Sequence, residues 1–378
     1  MTRLGSFVWP CLPTTHNGTG CSPAKQRIPH AHLVASLAVY SSLKAIGSLV
    51  RNINTFIGCH MVVHLNNATA LSLGDVLELF DQPAFRARAR LNPQRLHMRE
   101  AHRASPNSLV DIHAANFGFA ESAFPAMTHF LLVGEDERFI RMGVVRYLQE
   151  GAMSVGMSDI PRAACKSCTQ TPAAVNCKDP SGCCPRNDRD FERDPLLRGL
   201  RTGGLFYGQL EGSFFQREVF RAFQQVYSQA RQLALHPNEE QGTEKRIALL
   251  AVAPQEFYLP SFVMSLRCLH VAPAVTHVNW AAVFPCKLCV QPAEVASISL
   301  GLRPGRFAVK LGSGWTPHKW LLKTIDRMGM AIESQNASAF GAAIDRITAA
   351  AWSANTSSLT PPFRFKGNLP HPAWELNV

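Results

Sequence analysis

Three carboxylates in a row, Glu135, Asp136 and Glu137, follow the apolar run HFLLVG at 129–134. Oxygen ligands at the end of a buried strand are what a hard divalent cation needs when it bridges two phosphates. The same placement also serves a site without metal, or a solvated strand end. Asp188-Arg189-Asp190 has the alternating acidic spelling, with no apolar strand before it. Glu256, in VAPQEFYLPS, stands where a helix begins. A helix dipole favours a carboxylate there, and an ionised oxygen so placed can take the proton of an attacking hydroxyl. Lys310, in GRFAVKLGS, either snorkels from a strand or neutralises a departing phosphate. One charge pair at about 4 Å is worth on the order of 4 kcal/mol at an effective dielectric near 20.

Sulfur is concentrated as well. Cys165, Cys168, Cys177, Cys183 and Cys184 crowd into the segment 165–184, in the pattern C-x2-C-x8-C-x5-C-C. Zinc takes four ligands in a tetrahedron, and one Cys-x-x-Cys followed by an adjacent pair supplies them irregularly. Disulfides fit an oxidising compartment, zinc fits the cytosol, and free thiols are the third reading. Cys286 and Cys289 form a second Cys-x-x-Cys without the helix N-terminus that lowers a thiol pKa.

The elements that must hold these residues alternate. A strand is expected over 31–40, a helix over 41–56, with Leu43, Ile46, Leu49, Val50 and Ile53 at helical spacing, and a buried parallel strand over CHMVVHLN at 59–66. A capped helix is expected over 107–120 and the next strand over 129–134. Alternating strands and helices, with polar residues at the strands' C-terminal ends, predict an α/β fold: a doubly wound, mostly parallel sheet with helices on both faces and its ligand at that edge. An amphipathic helix is expected within 205–235 and another over 256–269, just after Pro254. Five cysteines, several prolines and the charge run NDRDFERD mark 158–200 as an insertion in a domain running over 31–350. Residues 1–30 are expected to be disordered and 351–378, with Pro361, Pro362, Pro370 and Pro372, to be an extended tail.

The composition, 46% hydrophobic and 17% charged over 378 residues, is that of a globular chain with a sizeable core. The net charge of +11 favours anionic ligands. No Lys/Arg run, RNA-binding signature or zinc-finger spacing accompanies it, so nucleic acid is not expected as a partner. Sequons at Asn17, Asn67, Asn336 and Asn355 permit the secretory lumen. The first thirty residues have no long apolar core and resemble neither a signal peptide nor a membrane anchor.

Taken in order, the segments from about 59 to 325 resemble the core-2/I-branching β-1,6-N-acetylglucosaminyltransferase family. HMVVHLN resembles that family's strand ending in His-Val-Asp, with Asn66 where an Asp contacts the uracil or ribose. NSLVDIHAANFGFA resembles its Ser-Leu-Val helix, and HFLLVGEDERF its strand ending in Ser-Gly-x-Asp, with Asp136 on that Asp. GQLEGSFFQREVF resembles its Gly-Ser-x-Phe-x-x-x-Arg segment, carrying Ser213 and Arg217. APQEFYLPS resembles Ser-Pro-Asp-Glu plus an aromatic, which sets Glu256 as the catalytic base. THVNW resembles its Tyr-Ile-Asp-Trp, and RFAVKL its Phe-Ala-x-Lys-Phe, with Lys310 on the lysine that binds the diphosphate. Asn66 replaces an Asp, and Leu311 replaces the aromatic after the lysine. The second diphosphate-binding arginine has no clear counterpart, and of Arg303, Arg306 and Lys287 the choice falls on Arg306.

The resemblance implies a GT-A-like fold and an inverting transfer from a UDP-sugar, N-acetylglucosamine by preference, to a hydroxyl of a glycan or glycoconjugate. It implies no cofactor and no metal, because basic side chains take over the work of an ion. Asp136 then lies on the site rim, with Glu135 and Glu137 as exposed neighbours. It also implies the Golgi or another secretory lumen, with membrane association through the family's usual anchor, which is not evident in this sequence. A metal-dependent nucleotide-sugar transferase and a non-catalytic luminal carbohydrate-binding protein are the alternatives.

Overall fold

The structure is a computed structural model. It describes residues 30–66, 71–94, 109–151, 155–157, 196, 208, 210–235, 254–266, 271–278, 290–311 and 319–355. The cysteine-rich stretch, Asp188, Asp190, Cys286, Cys289, Asn17 and Asn67 lie outside the described residues, as do the expectations attached to them. Cys59 is a buried free thiol.

The first strand, β1 (Leu33–Val39), is buried along its whole length. Its neighbours are β2 (His60–Leu65) and β4 (His129–Val133), both parallel to it, and β3 (Ala89–Leu91) continues the sheet beyond β2. On the other flank lie β7 (Phe214–Gln216), β6 (Val155–Met157) and β8 (Val271–Pro273). The order is β3-β2-β1-β4-β7-β6-β8, with β7 alone antiparallel to its neighbours. A second, three-stranded sheet, β5-β10-β9, is built from β5 (Glu137–Phe139), β10 (Ala308–Lys310) and β9 (Thr276–His277). This is the α/β arrangement, a mostly parallel sheet with helices on both faces, that the alternation of elements predicts.

Period-two alternation divides β1 between two cores. Leu33, Ala35, Leu37 and Val39 face one, and Val34 faces the other. Onto the first pack α1 (Leu43–Phe56), α8 (Pro292–Ser299), α9 (Lys319–Glu333) and α10 (Ala337–Asn355). Onto the second pack α4 (Leu109–Ala123), α6 (Arg217–Leu235) and α7 (Pro254–Ser265). Phe117, Phe130 and Phe220 meet there with ring centroids about 5 Å apart, in the tilted and edge-on geometries that aromatic quadrupoles favour. The remaining helices are α2 (Leu73–Asp81), α3 (Pro83–Arg86) and α5 (Val144–Gly151).

Local sequence explains where several elements start. Ser42 caps α1 by accepting the Ala45 amide at 3.3 Å, and Ser72 caps α2 by accepting that of Asp75 at 3.1 Å. Asn336, the described sequon asparagine whose side chain is defined, is exposed and caps α10 through the Ala339 amide at 2.9 Å. That helix runs to Asn355, so the extended tail expected from 351 begins no earlier than 356. Helix α7 contains Pro260. Its ring removes the amide that the Glu256 carbonyl would use, which loosens the first turn of the helix at that point.

Gly156 in β6 lies opposite Phe214 in β7. A Cβ at 156 would come within 2.0 Å of the Phe214 ring, and the ring is fully buried, so it has nowhere to go. Gly156→Ala is therefore expected to lower the stability of the folded chain by roughly 1–3 kcal/mol through overpacking, read as an earlier midpoint in urea unfolding. An unchanged midpoint would show that the two strands do not pack this closely.

Candidate functional site

The C-terminal ends of β1, β2 and β4 lie side by side, because Val39 pairs with Leu65 and Leu37 with Val133. Asn66 is held there by its own amide, which donates to the Val39 carbonyl at 2.9 Å, and its side chain is buried. The acidic triplet follows β4. Antiparallel pairing of β10 with β5 sets Lys310 opposite Glu137, and the Leu311 amide donates to the Asp136 carbonyl at 2.9 Å. Strand β5 is pinned from below by Asn52 of α1, whose side chain donates to the Phe139 carbonyl at 2.8 Å and accepts its amide at 2.7 Å.

The triplet is far from a solvated cap. Glu135 and Glu137, expected as exposed neighbours, are 9% and 0% exposed. The reason is that each carboxylate is used. Glu135 accepts the amides of Tyr40 and Ser41, both at 3.1 Å, and the Ser41 hydroxyl; it fixes the turn that leaves β1. Glu137 accepts the Gly134 amide and bonds the Thr276 hydroxyl. Arg138, also buried, donates to the carbonyls of Glu135 at 3.0 Å and Glu137 at 2.6 Å.

Lys310 completes the cluster. Its ammonium pairs with Glu211 and lies 3.8 Å from Asp136. Burial works against the charged ammonium, but Glu211 and Asp136 outweigh it and push the Lys310 pKa above its usual range. Burial pushes the Asp136 carboxyl up, with Lys310 pulling the other way. Burial also raises Glu137 well above the carboxylate range, and the nearby Glu211 adds to it. Two glycines make this density possible. A Cβ at Gly134 would come within 3.0 Å of Glu211 and 3.1 Å of Asp136, and one at Gly212, where φ is +67°, within 2.2 Å of Thr276.

Of the residues singled out from sequence, Asn66, Asp136 and Lys310 are brought to one sheet edge. Arg306 lies in the turn entering β10, where its Nη1 donates to the carbonyls of Ala274 at 2.7 Å and Thr276 at 2.8 Å. Glu256 is in the first turn of α7, on the face of the sheet that carries α4 and α6; its side chain lies outside the described residues. Ser213 is buried in the strand connection. Arg217 sits at the other end of β4, its amide on the Thr128 carbonyl at 2.8 Å and its guanidinium on Glu121 at 3.1 Å and the Pro125 carbonyl at 2.7 Å, a structural pin rather than a member of the cluster. Glu211, Tyr40 and Thr276 were not picked out from sequence. Gly212 carried the available signal, since glycine is the residue that a positive φ and a close backbone approach call for.

Among the described residues no group of three or more His, Cys, Asp and Glu side chains is disposed to hold a metal ion, and no helix is long and apolar enough to cross a membrane.

No protein-family model matches the chain, and no curated protein matches it in sequence. Among solved structures, the crystal structure of S. aureus TarS 1-349 is 10% identical with a TM-score of 0.32, over 86% of this chain and 72% of that one. The mannosyltransferase PcManGT from Pyrobaculum calidifontis, in complex with GDP-Man and Mn2+, is 13% identical with a TM-score of 0.34, over 89% of this chain and 78% of that one. Likenesses at that level carry no argument about this chain, whose fold stands on its own strand order.

The raised Glu137 pKa has a definite consequence for stability. The native state keeps a proton that the unfolded chain releases once pH exceeds its ordinary carboxylate value of about 4.3, so this residue costs stability as pH rises from there toward the native value. Glu137→Gln keeps an acceptor for Gly134 and a partner for Thr276. Its stability in urea is expected to exceed the parent's by a margin that is small near pH 4 and grows toward pH 8. A margin independent of pH would mean that Glu137 is ionised in the fold.

Proposed function

We propose that this chain is a nucleotide-sugar glycosyltransferase that inverts the anomeric centre without a divalent metal, with a UDP-sugar as donor and a hydroxyl of a glycan or glycoconjugate as acceptor. The observation that carries the reading is the placement of Lys310, Asp136 and Asn66 together at the C-terminal edge of a GT-A-like sheet, the edge where open α/β sheets bind their ligands. N-acetylglucosamine as the transferred sugar rests on the core-2/I-branching resemblance. A secretory lumen such as the Golgi rests on the sequons and the cysteine content.

In this mechanism Glu256 takes the proton from the acceptor hydroxyl as its oxygen attacks the anomeric carbon from the face opposite the diphosphate. The bond from that carbon to the diphosphate oxygen breaks in the same step, and UDP leaves with its electron pair. A single displacement inverts the centre, in contrast to the two-step retaining scheme with a covalent intermediate. Lys310 neutralises the departing phosphate, and Arg306 adds charge from the neighbouring turn. The ammonium pairs with Glu211 in the structure, so a phosphate would join or compete with that carboxylate at its three N–H donors.

A second reading, transfer that depends on a divalent cation, is favoured by one observation. Even with Glu137 protonated, the carboxylates of Glu135, Asp136 and Glu211 outnumber the two cations beside them, Lys310 and Arg138. A diphosphate entering such surroundings is repelled unless charge is supplied.

A UDP-release assay with UDP-N-acetylglucosamine and a panel of glycan acceptors, with and without EDTA, separates the two. Turnover is expected to survive EDTA, and Glu256→Gln is expected to lower kcat by roughly 10²–10⁴-fold with the fold intact by circular dichroism. Full activity in that variant removes Glu256 as the base, and abolition by EDTA with recovery on adding Mn2+ replaces the metal-free mechanism with the second reading.

A further inference from the structure

Helices α4 and α6, on the second face of the large sheet, leave a cavity of about 430 Å³ between them, within the span of small-molecule sites. Facing stripes form its walls. Asp111, Ala114 and Gly118 recur at helical spacing on α4, as do Gln224, Ser228 and Arg231 on α6. None of them belongs to the Lys310 cluster, whose strands β5 and β10 pack into the first core. Asp111 is buried, and its Oδ1 accepts the Tyr227 hydroxyl at 2.8 Å and Nη1 of Arg231 at 2.7 Å. The guanidinium is thereby fixed in the wall, while its buried Nε has no hydrogen-bond partner among the described residues. An unmet buried donor costs free energy that an acceptor reaching it recovers. Gln224 is pinned as well: its Nε2 donates to the Ala114 carbonyl at 2.8 Å, which leaves the amide oxygen to accept from a ligand.

The charge of the cavity selects what enters it. Asp111 and Arg231 are the only charged side chains among the described residues that line it, and they pair with each other. An anion would have to draw Arg231 away from Asp111 and leave a buried carboxylate unpaired, and a cation would meet the guanidinium; both are costly. A neutral ligand rich in hydroxyls meets neither penalty, because each hydroxyl both donates and accepts. The small side chains of α4 give the cavity its depth, and half-buried Phe119 adds an apolar ring surface to the wall. Mostly apolar walls with a few fixed polar groups suit a ring that carries C–H bonds on its faces and hydroxyls around its edge. We propose that this cavity binds a small neutral saccharide. The site is separate from the Lys310 edge and does not depend on the transfer reaction proposed above.

Titration of the full chain with two matched pairs of free sugars, glucose with glucuronate and N-acetylglucosamine with glucosamine, followed by saturation-transfer NMR, tests this. At least one neutral sugar is expected to bind, and its charged counterpart to bind roughly tenfold more weakly or worse. Ser228 is exposed and lines the cavity, so Ser228→Trp obstructs it without touching the core. That variant is expected to weaken the neutral sugar by roughly 10- to 100-fold, with its helix content unchanged by circular dichroism. Ser228→Leu repeats the measurement with a smaller obstruction if the tryptophan disturbs the fold. Failure of both neutral sugars to bind the parent refutes the site. Equal binding by parent and obstructed variant shows that the sugar sits elsewhere on the chain, and a charged counterpart that binds as tightly as the neutral sugar refutes the selection by charge; either overturns the inference.

Discussion

The ammonium of Lys310, buried between Glu211 and Asp136, is the interaction on which the sheet edge depends. Carboxylates removed from water are costly unless paired or hydrogen-bonded, and this corner gathers four of them. Lys310 answers two, backbone amides and hydroxyls answer Glu135 and Glu137, and Arg138 ties the carbonyls of the same triplet. The close approach of Gly134 to Glu211 and of Gly212 to Thr276 follows from this crowding, since carboxylates can share one cation only if the backbone carrying them lies close.

That arrangement joins the two sheets. The large sheet contributes the ends of β1, β2 and β4, whereas Lys310 and Thr276 come from the small one. Asn52, with its paired bonds to Phe139, acts as a side-chain extension of the small sheet and locks it to α1. A ligand edge of this kind is therefore the seam between two structural units rather than a loop added to one. Stability and chemistry also compete there, because the lysine that would meet a phosphate already serves as counter-ion to the fold.

The opposite face shows the contrasting solution to buried polarity. Ser36, Asn92, His113 and Asn116 link beneath the sheet through bonds of 2.8 to 2.9 Å. Burial holds the His113 pKa down at about 3, with His64 adding to the effect, so the imidazole is neutral and the network carries no net charge. Neutral amides and hydroxyls satisfy one another locally, whereas the charged edge needs partners from distant parts of the chain.

The long buried strands β1, β2 and β4, helices α1, α4 and α6, and hence the doubly wound α/β class, were legible in the sequence. The strands stand out as unbroken apolar runs that end in polar residues, α1 and α6 by apolar residues at helical spacing, and α4 by the Asn or Ser expected to cap it, each over enough residues to be read locally. The three-residue strands β3, β5, β6, β7 and β8 were not, because so few residues carry no period. The residue types at the site were legible too: Asn66, Asp136 and Lys310 fall at strand ends where polar side chains stand out against apolar runs. Their partners were not. Glu211 reaches Lys310 across 99 positions and Thr276 reaches Glu137 across 139, and the burial of Glu135 and Glu137 exists only once those partners arrive. Local pattern fixed which residues end the strands; the environment that sets their charge was decided by tertiary contact, since desolvation and pairing are properties of neighbours and not of spelling.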